Sequence, residues 1–341
     1  MSNEFNPDYS FIDAYQGYLI DENLLLKSSS GGITRALSNA VIRLGGVVFG
    51  VRYSDDFYCA QYCRVECIDD IDKIIGSKYI YSDKKVMCRG NTVSVYQAVV
   101  DELEQGKIVL FFGLGCDVAA VRKYVTNKDI NTSKLFLVDL ICQGPTFPEI
   151  QESYLKRLEN KYSSRVCDFS VRYKLSGWNA PPFIRVDFEN GKHYYESFYG
   201  SDFGFAFSNY SRNGCYYCRF RGESHQSDIT IGDYWGIEKQ DAGYNKNGVS
   251  LMLVTTDKGR TLLNLVDKSD FIIRKADVDN AIRNNPMFYS CRKKYKNAER
   301  FKHNVSEKGL HRAVIEETGA IKYYYIRLRR GITKRIRKLL K

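Results

Sequence analysis

The sequence predicts an α/β fold that turns α+β in its middle: a parallel or mixed sheet flanked by helices, with an antiparallel insertion and a C-terminal basic helix. Three observations predict it. Short apolar runs alternate with helical patterns through the first half. The middle carries period-2 runs broken by Gly177-Trp178 and Pro181-Pro182, and the end combines helical spacing with dense Lys and Arg.

In chain order, Ser28-Ser29-Ser30-Gly31-Gly32 precedes an expected helix over about 34–44, which Gly45-Gly46 ends. Val47-Val48-Phe49-Gly50-Val51 reads as a strand, and about 57–68 as a second with period-2 alternation. Residues 107–114 (KIVLFFGL) read as a buried strand, about 118–125 as a helix, and 135–141 (LFLVDLI) as the next buried strand. Strand, helix and strand in so short a stretch make a right-handed crossover whose two strands run parallel. Residues 168–187 and 192–198 supply the antiparallel insertion; 228–232 and 249–255 restore strand character, and 258–266 is helical. The chain then divides into an N-terminal α/β region over 1–165, a region of mixed strands over 166–318 and a basic tail over 319–341.

Composition narrows the function. At 44% hydrophobic, the chain has no apolar run near the ~20 residues that span a bilayer. The opening MSNEFNPDYS has neither a basic n-region nor an apolar h-region, so a cytoplasmic location is expected and the ten cysteines are not read as disulfides. They read as buried small hydrophobes, metal ligands or redox groups, while only four histidines argue against His-rich metal chemistry. Of the net charge of +11, nine basic residues unopposed by acids lie in 319–341, leaving +2 for the rest. A nearly neutral body argues against nucleic acid as a partner.

Four cysteines stand apart. Cys116 follows the strand expected to end at Leu114 and opens the next helix, and Cys142 follows the strand expected to end at Ile141. Neighbouring parallel strands would release both thiols at one carboxyl edge, where α/β sheets bind ligands, and a helix N-terminus favours thiolate at Cys116. Cys215-Tyr216-Tyr217-Cys218 adds a C-x-x-C pair, open on its own to a metal site, a redox pair or coincidence. Gly113, Gly115, Gly144 and Gly214 beside these thiols allow close backbone approach. Cys59, Cys63 and Cys67 share one face of an expected strand and are assigned to core packing, as are Cys88, Cys167 and Cys291.

The motifs SSSGGI (28–33), GSKYIYSD (76–83), VLFFGLGCDVAAV (109–121), VDLICQGPTFP (138–148), CYYCRFRG (215–222), SDITIGDYWGI (227–237) and NGVSLMLV (247–254) stand in the order of a known family. Over about residues 24–300 the chain resembles the beta-subunit family of coenzyme F420 hydrogenase/dehydrogenase. That family also includes plant 7-hydroxymethyl chlorophyll a reductase and stand-alone bacterial proteins associated with surface-polysaccharide biosynthesis. The resemblance implies FAD and a 4Fe–4S cluster, with Cys116, Cys142, Cys215 and Cys218 as the cluster ligands. Two departures stand out. No cysteine precedes Cys59, so the ferredoxin-like segment of many relatives, with its extra clusters, is expected to be missing. Asp117 replaces a common Gln and puts a charge beside a cluster ligand.

Ser28, Ser29, Ser30, Gly31 and Gly32 before a helix read as an anion nest or as a turn with a helix cap; the resemblance implies flavin phosphate. Ser77, Lys78 and Tyr79 form a second candidate, in which Lys78 either stabilises the anionic reduced flavin near N1 and O2 or is a solvated loop lysine. Asp228, Asp233 and Trp235 frame the flavin or substrate pocket, or serve as turn and core residues. Lys78, Asp117 and Asp233 are the catalytic candidates. The expected function is an FAD- and 4Fe–4S-dependent oxidoreductase acting on a sugar or lipid-linked sugar of surface-polysaccharide assembly, with an external electron donor such as ferredoxin or flavodoxin. The alternative is an electron-transfer subunit serving a separate catalytic partner. In the tail, Ile321, Tyr325, Leu328, Ile332, Ile336 and Leu339 trace one helical face against Lys and Arg. That pattern suits a peripheral seat on the inner face of an anionic membrane, a helix docked on the body, or a solvated tail.

Overall fold

A computed structural model describes residue 9, residues 11–295 and residues 298–325. Its strands are β1 (Asp13–Leu19), β2 (Val47–Tyr53), β3 (Ala60–Val65), β4 (Ser82–Asp83), β5 (Lys85–Cys88), β6 (Asn91–Ser94), β7 (Val109–Leu114), β8 (Leu135–Leu140), β9 (Val166–Tyr173), β10 (Phe183–Phe188), β11 (His193–Ser197), β12 (Ile229–Asp233), β13 (Ser250–Val254) and β14 (Phe271–Lys275). Its α-helices are α1 (Glu22–Lys27), α2 (Ile33–Arg43), α3 (Val95–Glu104), α4 (Gly115–Asn127), α5 (Pro148–Tyr162), α6 (Asp202–Asn209), α7 (Asp257–Asn264), α8 (Val278–Arg283), α9 (Ala298–Lys308) and α10 (Leu310–Thr318).

One sheet runs β14-β1-β13-β12-β8-β7-β2-β3-β4. Its centre, β2, β7, β8 and β12, is parallel, and β13, β1 and β14 continue it antiparallel on one side. The expected crossover is β7–α4–β8, with Leu114 level with Leu140. The central strands are apolar throughout because helices cover both faces. Leu110 and Val138 meet α2 and α7 on one face, while Phe111 and Leu137 meet α3 and α4 on the other. The mixed α/β architecture is the one expected.

β9, β10 and β11 form the antiparallel insertion, which packs with α5, α6, α9 and α10 around Tyr154, Phe203, Tyr210 and Phe301. Strands β12–β14 of the later region return to the main sheet. β1 arises from a polar stretch in which no strand was expected, and it lies between β13 and β14.

The second strand is shorter than its alternation suggested. It covers only Ala60–Val65, so Cys59 and Cys67 fall outside it and are exposed, and Cys63 is half-buried. The expected core packing of Cys59 and Cys67 is therefore corrected, as is that of Cys167, which lies on an outward position of β9; Cys63 packs against the core, Cys88 is buried and Cys291 half-buried. In the tail, residues 320–325 are helical. Ile321 and Tyr325 are exposed there, while Tyr323 is buried and donates its hydroxyl to Asp202 Oδ1 at 2.8 Å. The rest of the expected basic face, 326–341, lies outside the described residues. Among the described residues no helix is long and apolar enough to cross a membrane.

Candidate functional site

The carboxyl ends of β7, β8 and β12 lie side by side: Leu114 pairs with Leu140, and Leu140 with Ile231. The chain leaves this edge twice through cysteine, at Cys116 in the first turn of α4 and at Cys142 beyond β8. Cys215 and Cys218 arrive on a 3-10 turn, Asn213–Tyr217, and the residue that closes it. All four line one cavity of about 40 Å³, together with Arg221 and His225. Gly144 N–H donates to Cys142 Sγ at 3.1 Å. Gly144 has φ +93°, and a Cβ there would lie 3.0 Å from Cys215 Cβ and 3.3 Å from its sulfur.

The thiols share an environment. Crowding by protein around Cys116, whose side chain still reaches the surface, pushes it up to about 12 with help from Asp117 and the neighbouring thiols, and burial pushes Cys142 up to about 11. Cys215 is raised by burial and by Cys218, against which Arg212, Arg221 and Arg292 act. Such thiols release protons when they coordinate a metal.

Among the described residues, no three His, Cys, Asp or Glu side chains gather as ligands of a single metal ion. One ion holds each sulfur at about 2.3 Å and draws its ligands together. A four-iron cluster takes each cysteine on a different iron and keeps them further apart. Four sulfurs around one cavity, and a glycine cradle that a Cβ would fill, are a donor set that suits an iron–sulfur cluster.

A cleft of about 410 Å³ lies alongside, within the roughly 300–1,000 Å³ of small-molecule sites. It shares Leu114, Leu140, Cys142, Gly144, Pro145 and Met287 with the cysteine cavity. Ser28, Ser29, Ser30 and Gly32 line it at the start of α2, as do Ser77, Lys78 and Tyr79. Ser77 Oγ donates to Ser29 Oγ at 2.8 Å, joining the two loops, and Ser30 Oγ donates to Val249 O at 2.8 Å. Ser28 Oγ donates to Leu24 O and closes α1. Gly31 is not on the cleft wall. It is the point of contact with β1 and β13, where a Cβ would lie 2.2 Å from Gly17 O and 2.4 Å from Ser250 N.

The three catalytic candidates all line the cleft, but each is already engaged. Lys78 Nζ donates to Ile75 O at 2.6 Å and Gly76 O at 3.2 Å, and burial pulls it down to about 8. Asp117 is buried, and its Oδ2 accepts from Lys84 Nζ at 2.8 Å and Tyr62 at 3.0 Å, so the charge beside Cys116 is paired. Asp233 holds Arg172 at 2.5 Å and accepts from Trp178 Nε1 at 2.7 Å. Trp178 stacks on Trp235 with centroids 5.1 Å apart. Sequence reasoning missed Arg172, which brings a nearly buried cation to the cleft, and Lys84. It also missed His225, for which a histidine seven residues after a C-x-x-C was the available signal.

Residues 106–279 match the family model for the C-terminal part of the coenzyme F420 hydrogenase/dehydrogenase beta subunit. No curated protein sequence matches the chain. A chain of the xenon-derivatised F420-reducing NiFe hydrogenase complex from Methanosarcina barkeri shares the fold, with a TM-score of 0.53 and 18% identity, covering 86% of this chain and 92% of that one. The family match spans half of this sequence and contains β7, β8, β12, β13 and all four cysteines of the cavity. The chain belongs to the coenzyme F420 hydrogenase/dehydrogenase beta-subunit family, a family of oxidoreductase subunits.

Proposed function

We propose that the chain is an FAD- and 4Fe–4S-dependent oxidoreductase. The observation that carries this reading is the shared wall: the cleft and the four-cysteine cavity meet at Cys142, Gly144 and Pro145. Flavin exchanges electrons in pairs or singly and a cluster exchanges them singly, so the two are complementary when bound side by side. The backbone at Ser28–Gly32, at the start of α2, suits a phosphate. Arg172, oriented by Asp233, supplies a cation in the same cleft, and Tyr79, stacked on Phe207 at 4.2 Å, gives it a rigid aromatic wall.

The proposal extends to a sugar or lipid-linked sugar of surface-polysaccharide assembly, handled in the cytoplasm or at the inner membrane face. The partly exposed aromatic faces of Tyr199 and Trp235 at the cleft suit a ring-bearing substrate, and the basic tail suits an anionic surface. A second reading, an electron-transfer subunit, draws on the exposure of Cys116 and Tyr217 and of Arg212 and Arg219 close by. Such an edge suits an acidic donor of the ferredoxin or flavodoxin kind.

Anaerobic purification with iron, sulfide and flavin assays tests both readings. Iron, sulfide and flavin are expected together, and absence of all three overturns them. In the C215S/C218S variant, iron should be lost while flavin remains. Bound flavin re-oxidised by substrate alone favours the enzyme; re-oxidation only with a partner protein favours the relay.

A further inference from the structure

His225 is the one lining residue of the cysteine cavity whose imidazole is fixed on three sides and left free on the fourth. Its side chain is 6% exposed, and Nδ1 lies 2.6 Å from Asp139 Oδ2. Asp139 is fully buried and its other oxygen accepts from Ser227 Oγ at 2.9 Å. The imidazole face stacks on Phe288, with centroids 4.9 Å apart and planes 8° from parallel. Nε2 is buried and has no hydrogen-bond partner among the described residues.

An unpaired buried polar nitrogen is costly. Here the cost is accompanied by the Asp139 carboxylate, the Thr230 hydroxyl 3.3 Å from Nδ1 and the Phe288 ring, which together hold the imidazole in one orientation. A histidine that gives its other N–H to a carboxylate is the arrangement proteins use to aim the remaining nitrogen at a metal centre. His225 is among the residues that line the cavity of Cys116, Cys142, Cys215 and Cys218. Asp139 has His225 as its only ion-pair partner among the described residues, and a buried carboxylate calls for a paired cation. Four thiolates in one cavity call for donors of their own, since hydrogen bonds to sulfur help set a cluster's potential.

We propose that His225, protonated on both ring nitrogens, gives Nδ1–H to Asp139 and Nε2–H to a sulfur of the 4Fe–4S cluster, and thereby raises the cluster's reduction potential. The proposal rests on the reading of the four cysteines as cluster ligands. The donor stabilises the more negative, reduced cluster, so removing it makes reduction harder. Asp139 acts through His225 and is a positioning residue.

The test uses the full chain, reconstituted anaerobically with iron and sulfide, as wild type, H225F and D139N. His225→Phe keeps a ring to stack on Phe288 and removes both nitrogens. Iron and sulfide per chain are measured first, then the potential by redox titration, then nitrogen couplings in the reduced cluster by pulsed EPR. Expected are wild-type iron content in H225F, a potential shifted to more negative values, and loss of a weak histidine nitrogen coupling present in wild type. D139N should shift the potential in the same direction by less. Full iron with an unmoved potential overturns the proposal and leaves the cluster reading intact. Wild-type protein that binds no iron overturns both. If H225F does not fold, the wild-type spectrum decides, because a reduced cluster without a histidine nitrogen coupling also overturns the proposal.

Discussion

Gly144 sits where backbone and sulfur come closest. Its amide points at Cys142 Sγ and its α-carbon faces Cys215, so one residue spaces two of the four thiols. The conformation is left-handed, which costs another residue about 1–3 kcal/mol, and the added Cβ would intrude on Cys215. Gly144→Ala is therefore expected to lower the urea midpoint by a matching amount and to reduce bound iron sharply, with flavin content changing less. Iron and flavin assays on the same preparation check it; a variant loaded like wild type would show that the cradle is not needed. The pairing of Asp117 changes the picture of its neighbour in another way. Lys84 answers the charge expected to perturb Cys116, so the local field is closer to neutral than the residue name suggests.

Among the elements, α3 shows how a helix is tied to a sheet by charge. Glu102 is fully buried and is held by Arg64 of β3, by Arg89 after β5 and by Lys107 before β7. Burial alone would raise its pKa, but the hydrogen bonds and charges of Arg64 and Lys107 outweigh that and leave it lowered. A carboxyl lowered in the folded state stabilises fully above its unfolded pKa, about 4.3, and loses that contribution as pH falls through the lower folded value. Glu102→Gln is expected to destabilise by about 1–3 kcal/mol at neutral pH, because the largely buried Arg64 loses a charged partner and keeps only the exposed Glu66. It should also flatten the acid side of the stability curve, which denaturant melts from pH 3 to 7 measure. Elements differ in how far the sequence reveals them. β7, α4 and β8 are legible because buried parallel strands are apolar at every position and the crossover has few alternatives. β1 is not, because it is held by partners more than 200 residues away and its own sequence alternates weakly. The site divides the same way. The cysteines stand at strand ends and in a C-x-x-C, both local signals. His225 owes its orientation to Asp139, 86 residues earlier, and Arg172 owes its own to Asp233, 61 residues later.

In the molecule as a whole, a buried hydroxyl ties the described start of the tail to the body. Tyr323 donates to Asp202, which also bonds His311 of α10, so the chain is fastened to the insertion core up to that residue. A truncation that removes 326–341 is expected to leave the melting temperature near wild type and to abolish co-sedimentation with anionic vesicles. Truncation from 319 should additionally lower stability by about 1 kcal/mol or more, through the lost hydrogen bond. Unchanged vesicle binding after the shorter truncation would rule out the tail as a membrane anchor. The position of β1 has a consequence in time. It is made first, yet its two neighbours, β13 and β14, are made near the end. Contacts of such long sequence separation form slowly, and during synthesis β1 has no strand partner until β13 is made and lacks its second neighbour until β14 is complete at Lys275. The bond from Ser30 to Val249 carries the same delay into the cleft. Completion of the cleft wall therefore follows synthesis of Val249, and a product terminated before it presents no finished cleft.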